Sequence, residues 1–307
     1  MDGNDSNGMS MPSNEPTREW RMSVFPVTPV ATGGGNPAGV VFDPTESTVE
    51  EMVRTAVRLN PVSETAFVWP LDEGVYRLRY FAPGGEVPLC GHATAAAFGA
   101  LALSGRAASL PVAVRSVAPG GEVTGRVDRE DGGLAVWLDM PVATRVGREL
   151  DLQAVAEALG LPHEVLASRP AAAIEDVGIR VALLPVADLA SLDAMRPDFG
   201  RLRELGAPDD IIVFYPFVLD QKNWRVRARS FAPAVDIDED PATGTAAAAL
   251  GAFLARENLV PPRLELPVRQ GEAMGRASEI RLRVRHDGSA PTSVQVGGWV
   301  HGSPAGP

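Results

Sequence analysis

Carboxylate, imidazole and thiol side chains converge on two small-residue turns, LCGHATAAA (Leu89–Ala97) and DEDPATGTAAAA (Asp238–Ala249). Each turn leads into an alanine-rich run, and alanine is the strongest helix former, so each marks a helix start. A helix start carries unpaired N–H groups and partial positive charge. Small residues there let a carboxylate or phosphate approach the backbone. An imidazole, His92, stands at the first turn and an acid, Asp240, at the second. Carboxylate–imidazole chemistry around an anion-binding turn suits proton abstraction and return on one small molecule, with the helix ends holding its charge.

Other chemistries find little support. His163, His286 and His301 sit in contexts that read as surface, turn and chain end. There is no HExxH, no paired CxxC and no clustered His/carboxylate spacing, so no metal is expected. The acidic run Asp238, Glu239, Asp240 lacks the spacing of a calcium loop. Lys222 is the only lysine, which argues against Schiff-base chemistry. No Gly-Xaa-Ser-Xaa-Gly elbow is present. The loop GGGNPAG (residues 33–39) has neither dinucleotide nor P-loop spacing and reads equally well as a hairpin connection or a ligand contact through Asn36. Glu64, in SETAF, reads locally as a solvated acid at a helix-to-strand junction.

The elements that position the turns form a repeat. Arg79, Phe81, Ala82 and Pro83 recur as Arg229, Phe231, Ala232 and Pro233, at a spacing of 229 − 79 = 150. At the same spacing Ala96, Ala97 and Ala102 recur as Ala246, Ala247 and Ala252, and Cys90 falls opposite Asp240. A repeat of this length is a domain duplication rather than a solenoid. Alternating or β-rich runs predict strands at Met22–Val30, Val40–Phe42, Thr65–Trp69, Val75–Phe81, Pro111–Val117, Glu122–Val127 and Leu134–Asp139. Further strands are expected at Arg180–Leu184, Ile211–Phe217, Asn223–Ser230, Leu264–Val268, Ile280–Val284 and Ser293–Val300. Helices are expected at Thr48–Leu59, with Ser47 or Thr48 as cap, and at Asp151–Gly160, with one or two more over Asp188–Leu205, broken by Pro197. The segment QGEAMGR (Gln270–Arg276) reads as a turn and the tail after His301 as loose. The sum is an α+β chain of two similar halves, each a sheet wrapped on a helix.

At 307 residues the chain is long enough for two cores. Its net charge of −11 argues against nucleic acid and anionic membranes as partners but not against a small anionic substrate. No run is long enough to span a membrane. A single cysteine, Cys90, excludes an internal disulfide and fits a reducing, cytoplasmic setting. The polar N-terminus lacks an apolar signal core, and residues 1–19 read as a disordered leader.

The motifs GGGNPAGVV, SETAFV, FAPGGEVPLCGHATAAA, FAPAVDIDEDPATGTAAAAL, QGEAMGR and the late VGG occur in this order from about Val24 to Gly298. Together they resemble the phenazine-biosynthesis PhzF-like family. That resemblance implies the diaminopimelate-epimerase fold: two pseudo-symmetric domains, each a curled, mostly antiparallel sheet around a central helix, with the site between them. Residues 20–143 and 144–291 are the expected domains, with 292–303 returning to the first, and the expected assembly is a homodimer. The resemblance also implies a cofactor-free isomerase that moves a proton and double bond on a small cyclic amino or hydroxy acid. The family's catalytic Glu falls on Glu64, its GH-turn His on His92 and its EDPATG Asp on Asp240. Asn36 and Ser63 match neighbouring pocket positions, and Gly91, Gly244 and Thr245 would grip the substrate carboxylate. Thr245 stands where the family commonly has Ser. Related epimerases use two cysteines; with one thiol in the chain, a two-thiol racemase is excluded. The alternatives are a racemase using Glu64 and a second acid, and a non-catalytic binding protein of the same fold.

Overall fold

Nine consecutive residues, Ala93–Leu101, are buried within one helix, α2 (Gly91–Leu103). A helix apolar on every side has no solvent face and must be surrounded. The computed structural model, which describes residues 18–29, 33–42, 48–60, 63–107, 110–166, 170–288 and 290–306, shows what surrounds it. The strands of the first half are β1 (Glu19–Val24), β2 (Asn36–Phe42), β3 (Thr65–Asp72), β4 (Val75–Ala82), β5 (Gly85–Val87), β6 (Val112–Ala118), β7 (Gly121–Glu130) and β8 (Gly133–Met140). The second half carries β9 (Thr144–Val146), β10 (Ala173–Asp176), β11 (Arg180–Pro185), β12 (Ile211–Asp220), β13 (Arg225–Ala228), β14 (Arg263–Gln270) and β15 (Ser278–His286). The last strand is β16 (Pro291–Pro304).

All sixteen strands among the described residues belong to one hydrogen-bonded sheet. Its path runs β1-β2-β3-β4-β6-β7-β8-β16-β15-β14-β13-β12-β11-β10-β9, with β5 beside β4 and a further β1–β16 pairing. That last pairing joins β1 back to β16, so β1–β4, β6–β8 and β16 close a ring. Helix α2 packs against β1, β2, β3, β7, β8 and β16, and so lies inside this ring. Its close approach to β16 requires Gly99, where an added Cβ would stand 2.6 Å from the Val300 side chain. The rest of the sheet curls about α6 (Gly244–Arg256), whose residues 246–255 are all buried and which packs on β10, β11, β15 and β16. Both helices are thirteen residues long.

The remaining helices lie outside the sheet. Helix α1 (Val49–Leu59) opens on a capping box, Thr48 with Glu51, and buries Met52, Ala56 and Leu59. Helices α3 (Leu152–Ala158), α4 (Leu189–Ala194) and α5 (Phe199–Gly206) are capped by Asp151, Asp188 and Asp198.

Several expectations need correction. Residues 1–17 of the expected leader lie outside the described residues, and β1 already begins at Glu19. β1 ends at Val24 rather than near residue 30, because buried Phe25 takes φ +62° and turns its N–H to Trp299 and its carbonyl to Glu279. The tail is not loose after His301: β16 pairs with β1 as far as Trp20 opposite Pro304. His286 is buried at the end of β15, not in a turn. The short β5, β9 and β10 had no periodicity to announce them.

The repeat is visible in side-chain geometry, with a change of register. Arg79 stacks 5.1 Å over Phe81 and forks onto Glu86, while Arg229 stacks 4.9 Å over Phe231 and forks onto Glu239. The arginine and its acid are 86 − 79 = 7 residues apart in the first copy and 239 − 229 = 10 in the second. Helices α2 and α6 accordingly start 244 − 91 = 153 residues apart, not 150. A three-residue 3-10 turn, Pro233–Val235, falls in the lengthened stretch. Cys90 is therefore the counterpart of Thr243, the N-cap of α6, rather than of Asp240.

Candidate active site

Ser63 and Glu64 immediately precede β3, which runs parallel to β2 with Gly39 opposite Thr65. The Gly39 N–H donates to the Glu64 carbonyl, and Asn60 Nδ2 donates to the carbonyls of Pro37 and Glu64. The backbone carrying Glu64 is thereby fixed to the start of β2, where Asn36 lies. His92 is the second residue of α2 and is held over the same spot from inside the ring.

The side chains form a chain of contacts. Ser63 Oγ donates to Glu64 Oε2 at 2.7 Å and lies 3.0 Å from His92 Nε2. Glu64 Oε2 is 3.4 Å from the same ring nitrogen. On the other side of the ring, Nδ1 is 3.3 Å from Cys90 Sγ. The side chains of His92 and Glu64 are 10% and 16% exposed, so both keep an edge open to a small molecule. Burial pushes the Cys90 thiol well above its ordinary pKa, and the charges of Glu64 and Asp240 add to this. An Nε2–H of His92 can face Ser63, whose hydroxyl faces Glu64. Glu64, Cys90 and His92 offer ligand atoms within 4.8 Å of one another. The imidazole stands between the other two and shows each a different nitrogen, which is the geometry of a hydrogen-bonded relay rather than of three donors converging on one ion.

Asp240 approaches from the second half of the chain. Asn36 Nδ2 donates to Asp240 Oδ1 at 2.8 Å and to the Ala242 carbonyl at 3.1 Å, tying β2 to the turn before α6. Thr243 Oγ1 donates to Asp240 Oδ2 and lies 2.8 Å from Ser230 Oγ. Burial raises the Asp240 pKa and the charge of Glu64 adds to the rise, while His92 and the hydrogen bonds from Thr243 and Asn36 oppose it. Burial prevails, so this carboxyl holds its proton more tightly than an ordinary aspartate. Gly91 and Gly244 are the first residues of α2 and α6, and Thr245 is the second residue of α6. Neither N-cap residue, Cys90 or Thr243, closes its helix with a side-chain hydrogen bond. Among the described residues, one cleft elsewhere is lined by Phe42, Tyr76 and Arg106 and another by Arg225, Arg227 and Arg269.

Residues 24–301 match the family model described as phenazine biosynthesis-like protein. The chain belongs to this family. A curated relative from Deinococcus radiodurans, named an uncharacterized isomerase, is 38% identical over 92% of this chain and 91% of its own. The trans-2,3-dihydro-3-hydroxyanthranilate isomerase of Pseudomonas aeruginosa is 32% identical over 86% of this chain and 90% of its own. Among solved structures, the PhzF-family phenazine biosynthesis protein of Bacillus anthracis superposes with a TM-score of 0.81 at 24% identity, covering 93% of this chain and 97% of that one. The family is one of isomerases, and the sheet-rich α+β fold is shared with the Bacillus protein.

Within this family member, the structure groups Ser63, Glu64 and His92 in one cluster and Asn36 and Asp240 in another. Gly91, Gly244 and Thr245 flank them on the helix starts, but among the described residues no side-chain hydrogen bond ties Thr245 to either cluster. Sequence reasoning overlooked Thr243, which engages Asp240, and Gln270, which engages both. Thr243 could have been found from DPATGT, since a hydroxyl three residues after an acid can reach back to it. Gln270 had only its place before a turn glycine as a signal.

Proposed function

We propose that the protein is an intramolecular proton-transfer isomerase acting on a small cyclic amino or hydroxy acid, of the kind its Pseudomonas relative's name describes. Glu64 takes the proton from one carbon and returns it to another. His92 and Asp240 orient the substrate's hydroxyl and amine. The backbone at Gly91, Gly244 and Thr245 holds its carboxylate, where helix-end N–H groups meet negative charge. The site lies between two epimerase-like halves, residues 20–143 with 292–303 and residues 144–291. The Asn36–Asp240 hydrogen bond, which joins side chains 204 residues apart, supports a site assembled from both.

The observation that carries the reading is the Glu64–Ser63–His92 cluster. Ser63 occupies Oε2, no side chain among the described residues is hydrogen-bonded to Oε1, and the acid has an imidazole 3.4 Å away to steady its charge. The test is incubation in D₂O with dihydroaromatic hydroxy amino acids and, separately, with common amino acids, followed by mass spectrometry. Deuterium uptake accompanied by a shifted double bond in the ring compounds is expected. Exchange confined to the α-carbon of amino acids would instead show a racemase, and no exchange with either class would show a binding protein.

A further inference from the structure

Gln270 ends β14 and is 1% exposed. Its amide has a single hydrogen-bonding orientation. Nε2 donates to the Asp240 carbonyl at 2.7 Å and to Thr243 Oγ1 at 3.0 Å. Oε1 accepts from the Tyr215 hydroxyl at 2.9 Å and from the Thr243 N–H at 3.4 Å. Flipping the amide would set oxygen against the Asp240 carbonyl and NH₂ against the Thr243 N–H. Both hydrogens and both lone pairs are thus committed to one turn and to the buried tyrosine behind it. The next residue, Gly271, must be glycine: it has φ +76°, and a Cβ would stand 2.4 Å from the Arg276 carbonyl and 2.9 Å from that of Pro241. The β14 end is therefore pressed directly onto the turn that carries Asp240.

We propose that Gln270, backed by Tyr215, is a positioning residue that sets the protonation and aim of Asp240 by fixing both ends of the Asp240–Thr243 turn. Because one lone pair of Thr243 Oγ1 is taken by the Gln270 amide, the Thr243 hydroxyl hydrogen is directed to Asp240 Oδ2. Replacing the amide by a carboxylate reverses this. In Gln270→Glu an acid oxygen faces Thr243 Oγ1, takes its hydrogen, and puts a negative charge beside Asp240. Both changes favour the protonated form of Asp240. The other ionisable groups whose charge reaches Asp240 are His92 and Glu64, and Cys90 and Tyr215 feel its charge in turn. His92, Glu64 and Cys90 are left in place. The proposal rests on the reading that Asp240 is part of the active site.

The test is a carbon-13 titration of the full-length protein with labelled aspartate carboxyls, Asp240 being assigned from the signal missing in Asp240→Asn. Gln270→Glu should tighten proton binding at Asp240 by about tenfold. Tyr215→Phe, which deletes one oxygen and serves if Gln270→Glu fails to fold, should move the midpoint in the same direction by less. If a folded variant melts earlier but Asp240 titrates as in the wild type, Gln270 is only a brace and the proposal is overturned. Deuterium exchange into substrate, measured on the same variants, separates the two claims. A shifted Asp240 midpoint with unchanged exchange upholds the positioning of Asp240 and refutes its part in the reaction.

Discussion

The two arginine clamps share chemistry and differ in burial, so their removal should have unequal costs. Arg229 and Glu239 have side chains 11% and 13% exposed, and Arg229 also donates to the carbonyls of Leu192 and Met195. In Arg229→Met the Glu239 carboxylate remains in a largely enclosed site without the guanidinium that paired it. Breaking one side of a buried pair costs roughly 3–5 kcal/mol. Arg79 and Glu86 are 28% and 30% exposed, so water replaces much of the lost partner in Arg79→Met, and the loss is about 1 kcal/mol or less. An unfolding entropy of about 2.1 cal/mol/K per residue, applied to 307 residues, gives about 0.65 kcal/mol per kelvin. Arg229→Met should then melt roughly 5–8 °C below the wild type and Arg79→Met within about 2 °C of it. Scanning calorimetry of both variants at pH 7 measures this. Adding Glu239→Leu to Arg229→Met removes the stranded charge and should recover part of the loss. Equal melting losses for the two single variants would refute the argument that burial, rather than the clamp itself, sets the cost.

Asp240→Asn should raise the melting temperature at pH 7. The folded-state pKa of Asp240 lies above its unfolded value, so its contribution is fully present at acid pH and is lost as pH rises through the folded pKa. The gain in Asp240→Asn should therefore vanish below the ordinary aspartate range, and a gain that grows on acidification would contradict this. Cys90 should react with iodoacetamide at pH 8 roughly tenfold or more slowly than free cysteine, because burial keeps it a thiol; reaction at the free rate, followed by mass spectrometry, would refute that environment.

Much of the plan was legible in the chain because it rests on local rules. The cap of α1 at Thr48, the break between α4 and α5 at Pro197 and the alanine-rich helices α2 and α6 follow from propensity and capping. The Arg-Xaa-Phe repeat appears in space as two guanidinium stacks. The ungapped register failed beyond Pro233, since alanine runs align with one another at many offsets and cannot reveal a three-residue lengthening. Closure of the ring by β1 and β16 is a pairing of residues nearly the whole chain apart, and no local pattern encodes it. Glu64 looked like a solvated acid because its partner His92 is 28 residues away and meets it only once α2 is threaded through the sheet. Gln270 escaped notice for the same reason: its partners, Asp240, Thr243 and Tyr215, come from distant segments.

The central claim is that Glu64, and not the single thiol, moves the proton. Glu64→Gln keeps the side chain's shape and its contact with Ser63 but removes the base, whereas Cys90→Ala removes the only sulfur nucleophile. The decisive measurement is deuterium exchange into a turned-over dihydroaromatic acid by the two variants side by side, with ligand binding checked by calorimetry. Exchange abolished in Glu64→Gln with binding retained, and nearly intact in Cys90→Ala, is the predicted result. Full exchange in Glu64→Gln would contradict the account.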